Sequence, residues 1–221
     1  MKLVDFFLIF LRIEPHTIYN MGHFIDFTKK KNSFGKVISI GVDPFKEILI
    51  CNECEVSSID VYDIDEEIIT CGNNFFLETN LEISYIHCNV INDEIKGVYN
   101  TLFLFQMDYL FSDRELSIIL DKIRKTGIKN CYLMTPSMFN LQKGFFPFVF
   151  SEFFSIIYLL ISNFFKKTNL INSYTTYKRT KRHFIKLLKK SHYVLKSEKT
   201  IMNNNGSFNL FHFSVAPDLK P

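Results

Sequence analysis

No tryptophan occurs in the 221 residues, glycine is scarce at eight, and neither sign of charge prevails, with 26 Lys and Arg against 23 Asp and Glu for a net +3. So small a surplus gives no electrostatic case for nucleic-acid binding. The two basic clusters, Lys29–Lys31 and Lys178–His183, read as solvated faces. The five cysteines are odd in number and scattered, which argues against a disulfide framework and for a reducing cytoplasm. Cys51 and Cys54 form a CxxC, but no second pair of Cys or His stands at zinc-ligand spacing. The pair therefore reads as core filler within a helix, and no metal site is expected. A secretory signal is not evident either: Asp5 and Arg12 interrupt the apolar run Val4–Ile13, and no small-residue cleavage site comes after it.

Phenylalanine is abundant, at 25 residues. A skewed genome suffices to produce a chain rich in Phe, Ile, Asn and Lys. The length suits one large domain, or one domain with an insertion.

The stretch Lys36–Asp65 organises the rest. It opens with the apolar run Val37–Ile40, stopped by Gly41, and closes with Ile59–Tyr62, stopped by Asp63. Between them Pro44–Cys51 is long enough for a crossover helix. Strand, glycine turn, helix, strand and acid form the first half of a nucleotide-binding α/β sheet. In such a unit the glycine lets a ligand approach the backbone, and a carboxylate about 20 residues later accepts hydrogen bonds from ribose hydroxyls. Asp43 is either a ligand contact or a cap for the next helix.

Residues 1–35 form an N-terminal helical leader or cap. Within it, Phe6–Leu11 reads as a short helix on the core edge or an oligomer contact, and Tyr19–Phe27 as a wall over a ligand mouth. Downstream of Asp63, Asp65–Ile69 starts a helix with acids in its first turn. Ile83–Cys88 is a strand ending at Asn89, with His87 expected in the core. Gly97–Phe105 is a continuous apolar strand that ends in Gln106–Tyr109. Ser112 and Glu115 form a capping box ahead of the face Leu116, Ile119, Leu120, Ile123, and Gly127 closes that helix. Lys129–Met134 is a further strand. Arg179–Ser191 is a basic amphipathic helix with Phe184, Ile185, Leu187 and Leu188 inward and His183 at the surface. Tyr193–Leu195 and Thr200–Met202 form a strand, Asn203–Ser207 a hairpin turn, and Phe208–Val215 the returning strand. The fold class is thus α/β: a Rossmann-like, doubly wound, mostly parallel seven-stranded sheet with an antiparallel last strand.

Phe145–Phe165 is long and apolar enough for a membrane span, but Pro147 and Glu152 oppose that reading and the residues beyond Phe165 continue the domain. It stands as a Phe-rich helical insertion within 137–178, with three alternatives: a buried insert, a lid or homodimer face, or a peripheral membrane contact.

Over roughly Lys36–Ala216 the chain resembles the class I S-adenosylmethionine-dependent methyltransferases, loosely those among bacterial surface-polysaccharide enzymes. The glycine-rich first motif matches Val37–Asp43, the ribose acid Asp63, and the adenine-side motif Cys88-Asn89-Val90. Phe105–Tyr109 matches the methyl-transfer pocket, and the closing hairpin separates this family from dinucleotide dehydrogenases. The resemblance implies S-adenosylmethionine as cofactor, held by Gly41, Asp43, Asp63, Ile64, Asn89, Val90 and Phe105. It also implies Asp108 and Tyr109 as catalytic residues, and a small-molecule or glycan acceptor methylated on oxygen or nitrogen. Three departures stand out: Gly41 is alone where two or three glycines are usual, Ser39 replaces an acid, and Asn89 replaces an Asp. Asp43 and Phe45 occupy the other glycine places and crowd the backbone route to the cofactor. These departures sustain a second reading, a catalytically silent methyltransferase-fold interaction module. A nicotinamide dehydrogenase is a third option, opposed by the Asp43 carboxylate where a pyrophosphate would sit.

Overall fold

A computed structural model describes residues 14–28, 33–77, 79–136, 179–203 and 206–216. The insertion Phe145–Phe165 and the segment Phe6–Leu11 lie outside the described residues. The elements run α1 (Glu14–Thr28), β1 (Gly35–Ile40), α2 (Pro44–Glu53), β2 (Val56–Asp63), α3 (Glu66–Phe76), β3 (Ile83–His87) and β4 (Thr101–Phe105). After a 3₁₀ turn at Asp108–Leu110 come α4 (Asp113–Arg124), β5 (Asn130–Pro136), α5 (Lys181–Lys190), β6 (Tyr193–Asn203) and β7 (Gly206–Val215).

Helix starts reflect local chemistry. Asp43 caps α2, with Pro44 in its first turn where a missing N–H costs nothing, and Asp65 caps α3. Ser112 and Glu115 form the reciprocal capping box of α4, and Thr180 caps α5.

The seven strands form one sheet in the order β3-β2-β1-β4-β5-β7-β6. Neighbours are parallel except at β7, which runs antiparallel to both β5 and β6. Strand alternation sends side chains to two faces. On one face Ile38, Ile40, Leu102, Leu104, Cys131, Leu133, Phe211 and Phe213 pack against Leu116–Ile123 of α4 and Phe184–Leu188 of α5. On the other, Val37, Phe103, Phe105, Tyr132, Met134 and Leu210 pack against Met21 and Phe24 of α1, Ile50 of α2 and Ile69 of α3. Burial on both faces explains why β1, β4 and β5 read as unbroken apolar runs.

Some local expectations are corrected. The strand anticipated from Gly97 begins only at Thr101, because Gly97 has φ +116° and Tyr99 turns its hydroxyl onto Asp60. The α4 helix itself ends at Arg124, and the turn that continues it closes at Gly127 with φ +90°, as the sequence reads. β6 is one strand, as the sequence reads, and it runs continuously through Lys196–Lys199 with an irregularity between Leu195 and Ser197. His87 is exposed at the sheet edge and hydrogen-bonds the Ile64 carbonyl, so it is not a core residue.

Candidate functional site at the carboxyl edge of the sheet

Strand order reverses between β1 and β4, and the crevice at such a switch point is where open α/β sheets bind ligands. Gly41 comes directly after β1 there with φ +81°, a backbone conformation that L side chains resist. Its N–H donates to the Tyr62 carbonyl at 2.9 Å. A β-carbon on Gly41 would meet Sδ, Cε and Cγ of Met107 at 2.6–2.9 Å. The close approach that glycine permits is therefore used by Met107, arriving from the end of β4.

The polar groups of this turn are bonded within the chain. Val42 N–H donates to Asp63 Oδ2 at 3.0 Å, and Lys46 Nζ donates to the Gly41 carbonyl at 3.0 Å. Asp43 accepts from Lys46 N–H at 3.3 Å through Oδ1, while its own N–H points at both carboxylate oxygens of Glu47, 3.2 and 3.3 Å away. Glu47 is completely buried; it also accepts from the Tyr85 hydroxyl at 2.8 Å and lies 3.2 Å from Lys46 Nζ. Burial pushes the Glu47 carboxyl up to about 7, against the pull of the Lys46 charge. The Tyr85 phenol is held far above its usual range by burial and by the neighbouring Glu47.

At the end of β2, Asp63 is half-buried and fixed by two backbone donors, Val42 N–H on Oδ2 and Asp65 N–H on Oδ1 at 3.0 Å. Two carboxylate oxygens offer about four acceptor positions, so Asp63 retains capacity for further donors. Ile64 beside it is 68% exposed. At the end of β3, Asn89 Oδ1 accepts from Ile91 N–H and Asn92 N–H at 3.1 and 3.3 Å, so this side chain closes its own turn. Val90 is buried. Lys122 Nζ steadies that loop by donating to the Ile91 and Asp93 carbonyls at 2.6 and 2.8 Å.

At the end of β4, Phe105 is buried with the Lys46 ammonium 5.9 Å from its ring centre. Gln106 comes next at φ +57° and ties to β5 through its N–H to the Met134 carbonyl at 2.7 Å. Asp108 Oδ2 accepts from Thr135 Oγ1 at 2.7 Å, whereas its Oδ1 is sealed from solvent and has no hydrogen-bond donor among the described residues. Burial raises the Asp108 carboxyl to about 6; Thr135 and Arg179 pull it down. Tyr109 lies in the 3₁₀ turn, and its side chain is outside the described residues.

Arg179 holds this turn in place. Its guanidinium donates to the Asp108 carbonyl (2.7 Å), the Phe111 carbonyl (2.5 Å) and Asp113 Oδ1 (2.7 Å). His183 Nε2 sits 2.6 Å from Asp113 Oδ2. Partial burial opposes ionisation of Asp113, but the hydrogen bonds and charges of Arg179 and His183 more than reverse this and hold the carboxyl below its usual value.

The carboxyl edge thus carries Gly41, Asp43, Asp63, Ile64, Phe105 and Asp108 on β1, β2 and β4, with Asn89 and Val90 after β3. Sequence reasoning passed over Lys46, Glu47, Thr135 and Arg179. The Asp43-Pro44 helix start was a signal for the first two, since it places them in the first turn of α2. Arg179 was hidden in a run that reads as a solvated face. A surface cavity of about 600 Å³, lined by residues 92–97 with Lys122, Lys125 and Thr126, shares no residue with these strand ends.

No family model and no curated protein matches the sequence. Solved structures do match. Magnesium protoporphyrin IX methyltransferase from Synechocystis, crystallised with bound S-adenosylhomocysteine (SAH), superposes with a TM-score of 0.64 at 9% identity, covering 91% of this chain and 83% of that one. The N-methyltransferase NodS from Bradyrhizobium japonicum gives 0.61 at 8% identity, covering 92% and 98%. An S-adenosylmethionine-dependent methyltransferase from Clostridium acetobutylicum gives 0.61 at 8%, covering 89% and 91%. The chain has the class I S-adenosylmethionine-dependent methyltransferase fold, antiparallel penultimate strand included.

Proposed function

We propose that the chain is an S-adenosylmethionine-dependent methyltransferase acting on oxygen or nitrogen of a small-molecule or glycan acceptor. The observation that carries the reading is the pair Gly41 and Asp63: a positive-φ glycine after β1 and an anchored carboxylate after the adjoining β2, within this strand order. Asp63 fits a ribose diol, since two backbone N–H groups orient it and leave acceptor positions for two hydroxyls. Ile64, Val90 and Phe105 supply apolar surface for the base and thioether, while Asp43 and Asn89 border the cofactor from loops whose hydrogen bonds hold them rigid. When bound, S-adenosylmethionine supplies an electrophilic methyl group on a sulfonium, so the chain's task is alignment of the acceptor and exclusion of water.

Asp108 is the proposed proton acceptor, with Tyr109 beside it in the turn. With its pKa raised to about 6, Asp108 is ionised at neutral pH, and Oδ1 has no donor among the described residues. A reducing cytoplasmic location suits five free thiols, and burial keeps Cys51 and Cys54 protonated with pKa values near 11. Phe145–Phe165 is proposed as an acceptor cover, dimer face or peripheral membrane contact. No helix among the described residues, which exclude that segment, is long and apolar enough to cross a membrane.

Calorimetric titration with SAH tests the reading: saturable binding that Asp63→Ala weakens at least about tenfold is expected from the loss of charge-assisted hydrogen bonds. Absence of binding at millimolar ligand favours the second reading, a catalytically silent interaction module. That reading has its own observation, because the Gly41 carbonyl and the N–H groups of Gly41, Val42 and Asp43 are all bonded within the chain.

A further inference from the structure

Lys46 is in an unexpected place. It lies in the first turn of α2, where the helix dipole opposes a cation, and its side chain is only 4% exposed. Two of its three ammonium protons have partners, the Gly41 carbonyl at 3.0 Å and Glu47 Oε1 at 3.2 Å. The Gly41 carbonyl lies one residue past the last residue of β1 and past the end of its ladder with β4, so its donor at the switch point is Lys46 and not a neighbouring strand. Glu47 keeps the ammonium in place, since its carboxylate is anchored independently by Tyr85 Oη and the Asp43 N–H. The third ammonium proton has no acceptor among the described residues.

S-adenosylmethionine and SAH carry both an α-ammonium and an α-carboxylate at the end of the amino-acid arm. An arriving ammonium needs an acceptor and is repelled by a resident cation; an arriving carboxylate needs a donor and is attracted by one. Resting on the methyltransferase reading, we infer that Lys46 is a tethered ammonium that takes the place of the ligand's α-amino group on Gly41 and recognises the ligand's carboxylate instead. Lys46 is then a specificity-determining residue of the cofactor site: the site reads adenosyl ligands by their carboxylate and is indifferent to the loss of the α-amino group. Asp43 and Asp63 face the same turn and add negative charge, but both carboxylates are held on backbone N–H groups, so neither supplants Lys46 as the group that meets an anion.

Titration calorimetry on the full chain decides this with three ligands: SAH, its deaminated analogue 4-(5′-adenosylthio)butyrate, and its decarboxylated analogue 5′-(3-aminopropylthio)-5′-deoxyadenosine. The unmodified protein is expected to bind the deaminated analogue within about threefold of SAH and the decarboxylated analogue at least about tenfold more weakly, the scale of one charge-assisted hydrogen bond. Lys46→Met, checked for folding by circular dichroism, is expected to reverse that order. If the unmodified protein loses tenfold or more on deamination and little on decarboxylation, the role of Lys46 is overturned while the methyltransferase reading stands. Failure of all three ligands to bind overturns both. Because the ligand series on the unmodified protein is decisive, a Lys46→Met chain that does not fold leaves the outcome readable.

Discussion

Met107 Sδ lies 2.6 Å from the position a β-carbon on Gly41 would take, so the glycine after β1 and the methionine after β4 are packed as a pair across the switch point. Gly41→Ala combines that clash with a positive φ, and a loss of about 1–3 kcal/mol in urea denaturation is expected. Gly41→Ala with Met107→Ala relieves the clash but not the dihedral. The double variant should therefore be more stable than the sum of the two single losses implies.

Thr135 is the sole side-chain donor to Asp108 among the described residues. Thr135→Val removes the hydroxyl at nearly constant shape and is expected to raise the Asp108 pKa further above about 6, since the lost bond favoured the charged form. Carbon-13 NMR of labelled aspartate reads this directly. The accompanying stability loss, about 1–3 kcal/mol, should be larger at pH 8 than at pH 5, where protonated Asp108 carries no charge to leave unpaired.

Glu47 makes stability fall as pH rises. Its carboxyl is lifted from 4.5 to about 7, so the native chain holds the proton more tightly than the unfolded one. The associated stability is fully present below about pH 4.5 and is lost as pH climbs through 7, an effect on the order of 3 kcal/mol. Asp108, raised from 3.8 to about 6, acts with the same sign over the lower part of this window. Asp113 and Glu115, whose carboxyls are lowered, act oppositely and only as pH falls toward their own range. Glu47→Gln should flatten the slope between pH 5 and 7; an unchanged slope would place the proton elsewhere.

Arg179 reaches two carbonyls of the Asp108–Phe111 turn as well as Asp113. Arg179→Ala is expected to cost about 2–4 kcal/mol, mostly from carbonyls left without donors. Asp113→Ala should cost under about 1 kcal/mol because that carboxylate is half exposed. Arg179→Lys retains the charge but not the fork, and should recover only part of the loss. Denaturant midpoints of the three variants rank these effects.

The features legible in the sequence were local. The Ser112–Glu115 capping box spans four residues and is present as read, and the Asp65 helix start likewise. The unbroken apolar runs and the terminal hairpin foretold a doubly wound sheet with one reversed strand. Hidden from the sequence were the charges whose burial depends on distant partners. Arg179 meets Asp108 across 71 positions, and Glu47 meets Tyr85 across 38. Lys and Glu are expected at the surface unless paired, and pairing of this kind is a tertiary event. Asn89 carries a local detail that its residue type did not announce: the N–H of Ile91, two positions on, donates to its side-chain carbonyl.

The position of β7 bears on how the chain reaches its native state. Of the seven strands it is the last to be synthesised, yet it lies between β5 and β6. Until it arrives, β5 presents unpaired backbone donors and acceptors along a strand whose residues Cys131–Thr135 are all buried in the finished sheet, the kind of edge that recruits foreign strands. Completion of the sheet is a late, long-range event, and the interval between emergence of β5 and insertion of β7 is when the nascent protein is most exposed to aggregation. A chain truncated before Gly206 should consequently accumulate in inclusion bodies even though every residue of the Gly41–Asp63 turn is already present.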